Sequence, residues 1–339
     1  MSEVRGIGKD FDQLSLIIDV WPCYMHDIVT LPGAPAGDYA SFFINSNDYS
    51  FALSTVTNGD LTNRFKWVIQ SARTQNPNIK IIALQFYGEP AAPPGQADFR
   101  IFNNNLNSIG TYADSVANSI NTWYNATLPS IPAGGDDVSA RINGWDVDVE
   151  YGTMQPPLPK ILVAVRTSLN NLSAKLGTTP GGGGAPKFSV SITPAWTNYL
   201  NDPSVAQSVD YIIMQNYDGG RFTLPLNYTQ AIPRLTYSKL NWGFSSETPN
   251  KNATFPFPLV KQLILDAAFE ATSESRGIWT WRINTPDTYP YENIFQVWLY
   301  NIAHKTNLPT TKTEDIVAKY WPTGGRGANG KALTAAQMI

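Results

Sequence analysis

The sequence is short of cysteine, histidine and charge. Cys23 is the only cysteine among 339 residues, so no internal disulfide can form and a Cys₄ or Cys₂His₂ zinc site is impossible. Cys23 and His26 stand at a spacing that could begin a metal site, but His304 is the only other histidine. Cys23 therefore reads as a buried structural thiol, with no metal and no cofactor expected. Charged residues make up 15% of the chain and the formal net charge is -3, so the basic excess of a nucleic-acid or anionic-membrane binder is missing. Neither partner is expected, and nothing points to a protein partner. No apolar run approaches the roughly 20 residues that cross a bilayer. The opening "MSEVRGIGKDFDQ" also lacks the apolar stretch of a signal peptide. Localisation stays open: cytoplasmic as written, secreted if a leader was removed. Acceptor-like triplets at Asn125, Asn171, Asn227 and Asn252 keep the second alternative in play.

What the chain does have is aromatic surface chemistry and β/α alternation. It carries 10 Trp and 16 Tyr, and its polar residues are largely Asn, Ser and Thr. That mix suits stacking on sugars, and equally suits many secreted proteins. Eight β-rich runs recur, at residues 14–21, 39–45, 79–88, 142–151, 187–196, 209–218, 239–247 and 276–284. Segments 61–75, 108–127, 159–176 and 259–272 space their apolar residues three and four apart, as helices covering a sheet do. Runs such as "SLIIDV" and "YIIMQ" predict strands buried on both faces, hence parallel ones. No glycine-rich phosphate loop follows the first strand, and Gly181 to Gly184 lie between a helix and a strand, the wrong order for a phosphate cradle. The expected fold is α/β, a (β/α)8 TIM barrel over residues 1–310, with residues 311–339 as a Gly- and Ala-rich tail that is loosely docked or disordered.

The informative stretch is "INGWDVDVEYG", residues 142–152. Side chains of a strand alternate between faces, so Asp146, Asp148 and Glu150 share one face and Trp145, Val147 and Val149 the other. In a parallel barrel, catalytic groups gather at the C-terminal ends of strands, where Asp148 and Glu150 fall. Three carboxylates in one crowded space repel, so at least one must hold a proton near neutrality. Glu150, outermost, is the candidate general acid. The bland alternatives are a divalent-cation site or ion pairs. The other strand ends ("WPCY", "QNYDGG", "WTWRIN") offer aromatics and amides instead of further carboxylates and histidines, and charges are scarce.

"GWDVDVEYG" resembles the D-x-D-x-E signature of glycoside hydrolase family 18, a family of chitinases, endo-β-N-acetylglucosaminidases and some non-catalytic sugar binders. "MQNYDGG" resembles the family's sixth-strand segment and "GIWTW" its last strand, so the likeness spans about residues 14–284. Two departures stand out. Asn143 occupies a position where the family usually has Asp, and "IIALQFYGEP" lacks the usual Ser and paired Gly of the third strand. Both positions support the sheet more than the chemistry.

The resemblance implies substrate-assisted retention, in which the substrate's own acetamido group is the nucleophile. Glu150 would protonate the glycosidic oxygen, Asp148 orient the acetamide and stabilise positive charge on its nitrogen, and Asp146 share a proton with Asp148. Tyr217 would donate a hydrogen bond to the attacking carbonyl oxygen, with Gln215 and Asp218 as polar contacts to the same sugar and Asn216 on the opposite, structural face. Trp281 would floor the sugar. Trp279 is either core or part of that floor, and Trp21 and Trp196, where barrel loops begin, are either packing residues or subsite platforms. The expected partner is an N-acetylglucosamine-containing oligo- or polysaccharide. Three activities stay open: a chitinase, an endo-β-N-acetylglucosaminidase acting on N-glycan cores, and a non-catalytic lectin on the same barrel.

Overall fold

A computed structural model describes residues 6–8, 14–19, 42–53, 66, 69–70, 72–74, 77, 80–87, 96–131, 133–149, 157–178, 184–197, 200–215, 225–244, 277–280, 312–320, 322–323, 325–326 and 332–334. The strands are, in chain order, β1 Gly6–Gly8, β2 Leu14–Asp19, β3 Phe42–Asn45, β4 Phe51–Leu53, β5 Lys80–Tyr87, β6 Gln96–Ala97, β7 Thr127–Leu128 and β8 Val138–Ser139. They continue with β9 Gly144–Val149, β10 Ser189–Pro194, β11 Tyr211–Met214, β12 Leu240–Phe244, β13 Gly277–Thr280, β14 Gly325–Arg326 and β15 Ala332–Leu333. Among the described residues the α-helices with defined bounds are α1 Ile109–Tyr124, α2 Pro157–Gly177, α3 Pro203–Ser208, α4 Pro225–Ala231 and α5 Thr313–Tyr320, and residues 66, 69–70 and 72–74, within the predicted helix 61–75, are helical as well.

Eight strands close a barrel in the order β1-β13-β12-β11-β10-β9-β5-β2. Every ladder from β2 through β5, β9, β10, β11 and β12 to β13 is parallel. The chain is thus an α/β barrel of TIM type, as the alternation predicts. The closing strand differs from expectation. It is β1, which pairs antiparallel with both β13 and β2: Ile7 stands opposite Ile278 on one side and Leu14 on the other.

The run 39–45, expected in the ring, lies outside it as far as it is described. Phe42–Asn45 turns back into β4 and also pairs with β6, making a small antiparallel sheet. The reason is the turn "NSNDYS". Tyr49 N–H donates to the Asn45 carbonyl at 2.8 Å, Asp48 Oδ1 accepts from the Ser50 amide at 2.9 Å, and Tyr49 itself takes φ of 61°. So short a return gives a hairpin, whereas a parallel neighbour needs a crossover of about a dozen residues.

The predicted helices at 108–127 and 159–176 are α1 and α2, and they pack on one another. Ile109, Tyr112, Ala113, Val116, Ala117 and Ile120 form the buried stripe of α1. Ile161, Leu162, Val165, Leu169 and Leu172 form that of α2. Each buried Val, Leu or Ile in these stripes contributes roughly 1.5–3 kcal/mol. Where the stripes meet, Ser168 Oγ donates to Asp114 Oδ1 at 2.6 Å. The predicted helix 259–272 and Gly181 to Gly183 lie outside the described residues; Gly184 is in the left-handed region, φ 95°, with open space around it, as a loop glycine can be. In the tail, Val317 of α5 is fully buried in the core cluster.

Candidate active site

The site is built on β9. All six of its residues are buried. The apolar alternate residues Trp145, Val147 and Val149 join the core under the helices, with Trp145 edge-on to Phe99 and Tyr112 at ring-centroid distances of 6.2 and 6.4 Å. Asp146 and Asp148 therefore face the other way, into the barrel. The ladders set Asp146 between Leu84 of β5 and Ser191 of β10, and Asp148 between Phe86 and Thr193. Gly144, where the strand begins, has no room for a side chain, because a Cβ there would collide with the Ser189 carbonyl.

Each acid has named partners. Ser191 Oγ donates to Asp146 Oδ1, and Thr193 Oγ1 donates to Asp146 Oδ2 at 2.9 Å. Burial pushes the Asp146 carboxyl up to about 7, and the two hydroxyl donors offset only part of that cost. A proton near neutrality is thus held at the deep end of the line, and desolvation is its cause. Asp148 Oδ1 accepts from Gln215 Nε2 at 2.8 Å, and the same amide nitrogen donates to the Thr193 carbonyl at 3.1 Å. Gln215 is buried, and its two amide hydrogens are committed to protein acceptors, one of which is the acid itself.

Asn143, one residue before the strand, is a strut. Its Oδ1 accepts from the Ile81 amide at 2.9 Å and from Arg73 Nη2 at 2.8 Å, while its own N–H donates to the Ile81 carbonyl. Arg73 also reaches the Pro77 and Arg141 carbonyls. Burial, with the Arg141 charge second, brings its pKa down to about 10. The departure at Asn143 therefore joins β5 to β9 and does not enter the site.

Trp196, just past β10, is 40% exposed. Glu150, Tyr217, Asp218, Trp281 and Trp21 lie outside the described residues, as do Cys23, His26, His304 and Asn216, and of Trp279 only the backbone of β13 is described. The structure thus brings together Asp146, Asp148 and Gln215 of the predicted set, and the ladder carries β9 to the residue before Glu150, where the Val149 carbonyl accepts from Ala195 N–H at 2.9 Å. Ser191 and Thr193 are the contributors the motif did not mark. Their signal was nevertheless present, because Ser189, Ser191 and Thr193 alternate along "SVSITP" with the same period of two as the acids. Among the described residues no group of three or more His, Cys, Asp or Glu could hold a metal ion.

A fungal endo-β-N-acetylglucosaminidase from glycosyl hydrolase family 18 superposes with a TM-score of 0.51 at 15% identity, over 84% of this chain and 97% of that one. The two share one fold. A chitinase-like agglutinin from Robinia pseudoacacia (TM-score 0.49, 13% identity, 76% and 91% of the two chains) and a family 18 chitinase from Pseudoalteromonas aurantia (TM-score 0.48, 18% identity, 78% and 90%) are similar more loosely. No protein-family model matches the sequence, and no match was found among curated proteins. The family 18 barrel is therefore a likeness of fold, and the acid line is this chain's own.

Proposed function

We propose that this chain is a retaining glycoside hydrolase of the family 18 kind, cleaving β-1,4-linked N-acetylglucosamine in a chitinase-like reaction. The observation that carries this reading is the inward pair Asp146 and Asp148, near the C-terminal end of a barrel strand, each held by named donors. Glu150 stands two residues further along the same chain. In this reading it protonates the glycosidic oxygen as the carbonyl oxygen of the 2-acetamido group attacks the anomeric carbon. The aglycone leaves with that proton, and an oxazolinium intermediate remains. The Glu150 carboxylate then takes a proton from the water that opens the ring, giving net retention.

Asp148 orients the acetamide and stabilises the positive charge that grows on its nitrogen. Its bond to Gln215 supports that role, because a carboxylate fixed in one direction needs no reorganisation as charge develops. Asp146, with its pKa near 7, exchanges a proton with the same cluster. Tyr217 donates to the attacking carbonyl oxygen, Asp218 contacts the sugar and Trp281 floors it. Trp196 extends the cleft as a stacking platform, which its exposure supports. Trp21 is a second candidate platform.

A second reading keeps the chemistry and changes the substrate. Endo-β-N-acetylglucosaminidase action on N-glycan cores is favoured by the fungal endo-β-N-acetylglucosaminidase whose fold this chain shares over 84% of its length.

The test is to incubate the protein and Glu150→Gln in parallel with N-acetylglucosamine oligomers and with a high-mannose glycopeptide, reading products by mass spectrometry. Cleavage of one substrate is expected, with Glu150→Gln slower by at least about a hundredfold, the scale of general-acid catalysis. Which substrate is cut decides between the two readings. Undiminished turnover in Glu150→Gln would remove that residue from its role, and binding without cleavage would make the protein a lectin.

A further inference from the structure

Thr193 is bonded to one acid of the pair directly and to the other through Gln215. Its hydroxyl donates to Asp146 Oδ2 at 2.9 Å. Its carbonyl accepts from Gln215 Nε2 at 3.1 Å, and that same nitrogen donates to Asp148 Oδ1 at 2.8 Å. The ladder explains how one residue can do both. Thr193 stands directly opposite Asp148, so its backbone lies level with the outer acid while its side chain reaches back toward the inner one. Ser191, opposite Asp146, supplies the second hydroxyl to that inner carboxyl. Thr193, Ser191, Gln215 and both acids are all buried, so none of these bonds is exchanged freely with water.

A free aspartate samples several staggered rotamers about its first side-chain torsion. A carboxyl gripped through both oxygens does not. Where β5 faces the acids it offers Leu84, which cannot hydrogen-bond, so the grip must come from the opposite neighbour, β10.

We propose that Thr193 is the positioning residue of the acid pair, its hydroxyl and carbonyl together with Ser191 and Gln215 fixing where Asp146 and Asp148 point. Its consequence for turnover rests on the hydrolase reading above; its structural content does not. The groups flanking Asp146 on the neighbouring strands, Leu84 and Ser191, carry no charge. The ionisable residues nearest by register are Asp148 on its own strand, Tyr211 of β11, which stands level with it beyond Ser191, and Asp19 of β2, level with it beyond Leu84.

Two measurements test this on the full chain. In the first, Thr193→Val, which keeps the side-chain shape and the carbonyl but loses the hydroxyl, should lower kcat on the cleaved substrate by about tenfold or more while KM stays within about twofold. Thr193→Ser should recover most of the loss. Wild-type kcat in Thr193→Val, or a Thr193→Ser as slow as Thr193→Val, overturns the proposal. In the second, ¹³C NMR of protein labelled in its aspartate carboxyls follows the Asp146 titration, assigned with Asp146→Asn. Both Thr193→Val and Ser191→Ala should move it upward, because each removes a donor that favours the carboxylate. If the wild-type protein cleaves neither substrate, the hydrolase reading falls and this titration alone decides: an upward shift supports the grip, and an unmoved one overturns it.

Discussion

A carboxyl that titrates near 7 inside a barrel costs stability whenever it is ionised. The folded-state pKa of Asp146 is raised above its ordinary 3.8. Between about pH 4 and 7 the unfolded chain therefore gives up this proton while the native one keeps it, so stability from this group is fully present at low pH and falls as pH rises through that window. Asp146→Asn removes the dependence. Its stability should exceed that of the wild type at pH 8 by on the order of 4 kcal/mol, with a higher melting temperature, and the gap should close toward pH 4; thermal unfolding at the two pH values reads this directly. At this scale much of the site was legible. The period of two in "GWDVDVEYG" was enough to put Asp146 and Asp148 on one face and Trp145 in the core. Gln215 was harder, because a strand end says that an amide is near the sugar without saying where its hydrogens go. That answer came from β11 lying beside β10, one strand away from β9, which lets Gln215 reach Asp148.

At the scale of elements, strands and helices are tied beneath the site by a half-buried ion pair. Arg166 of α2 donates from Nε to the Ser208 carbonyl at 2.8 Å and from Nη1 to the Phe188 carbonyl at 3.0 Å, and its Nη2 pairs with Asp210 at the foot of β11. Asp210 also accepts from the Val190 amide at 3.0 Å and lies 3.4 Å from Lys187 Nζ. Burial opposes the Asp210 charge, but Arg166, the Val190 amide and Lys187 together hold its carboxyl below the usual range. A depressed carboxyl stabilises the fold above its unfolded pKa and loses that contribution as pH falls through the folded one. Asp210→Asn should therefore lose about 2 kcal/mol at pH 7 in urea unfolding and become indistinguishable from wild type in strong acid. Helices α1 and α2 were legible because long amphipathic periods repeat several times. Residues 42–45 were misread because a short apolar run fits a barrel strand and a hairpin equally; the decisive signal was the Asn/Asp/Ser turn that follows it.

For the whole molecule, the issue is how the ring closes. β1 is the seam between β13 and β2, and it is only three residues long. Ile7→Pro removes a donor and fixes φ where both neighbours pair. The expected result is a loss of at least about 2 kcal/mol with increased binding of a hydrophobic dye, and unchanged stability would show that the seam carries no load. "GIG" has no period to read, so its place in the barrel could not be inferred locally. The sequence by itself determined what repeats within one element: buried parallel strands, two amphipathic helices, and a line of acids on one face, all consequences of side-chain direction along a regular backbone. Only the tertiary structure decided what depends on which strand lies next to which: the antiparallel seam, the strut from Asn143 to Arg73, and the grip of Ser191, Thr193 and Gln215 on Asp146 and Asp148. Neighbourhood across a barrel follows from closure of the whole ring, and no window along the chain contains it.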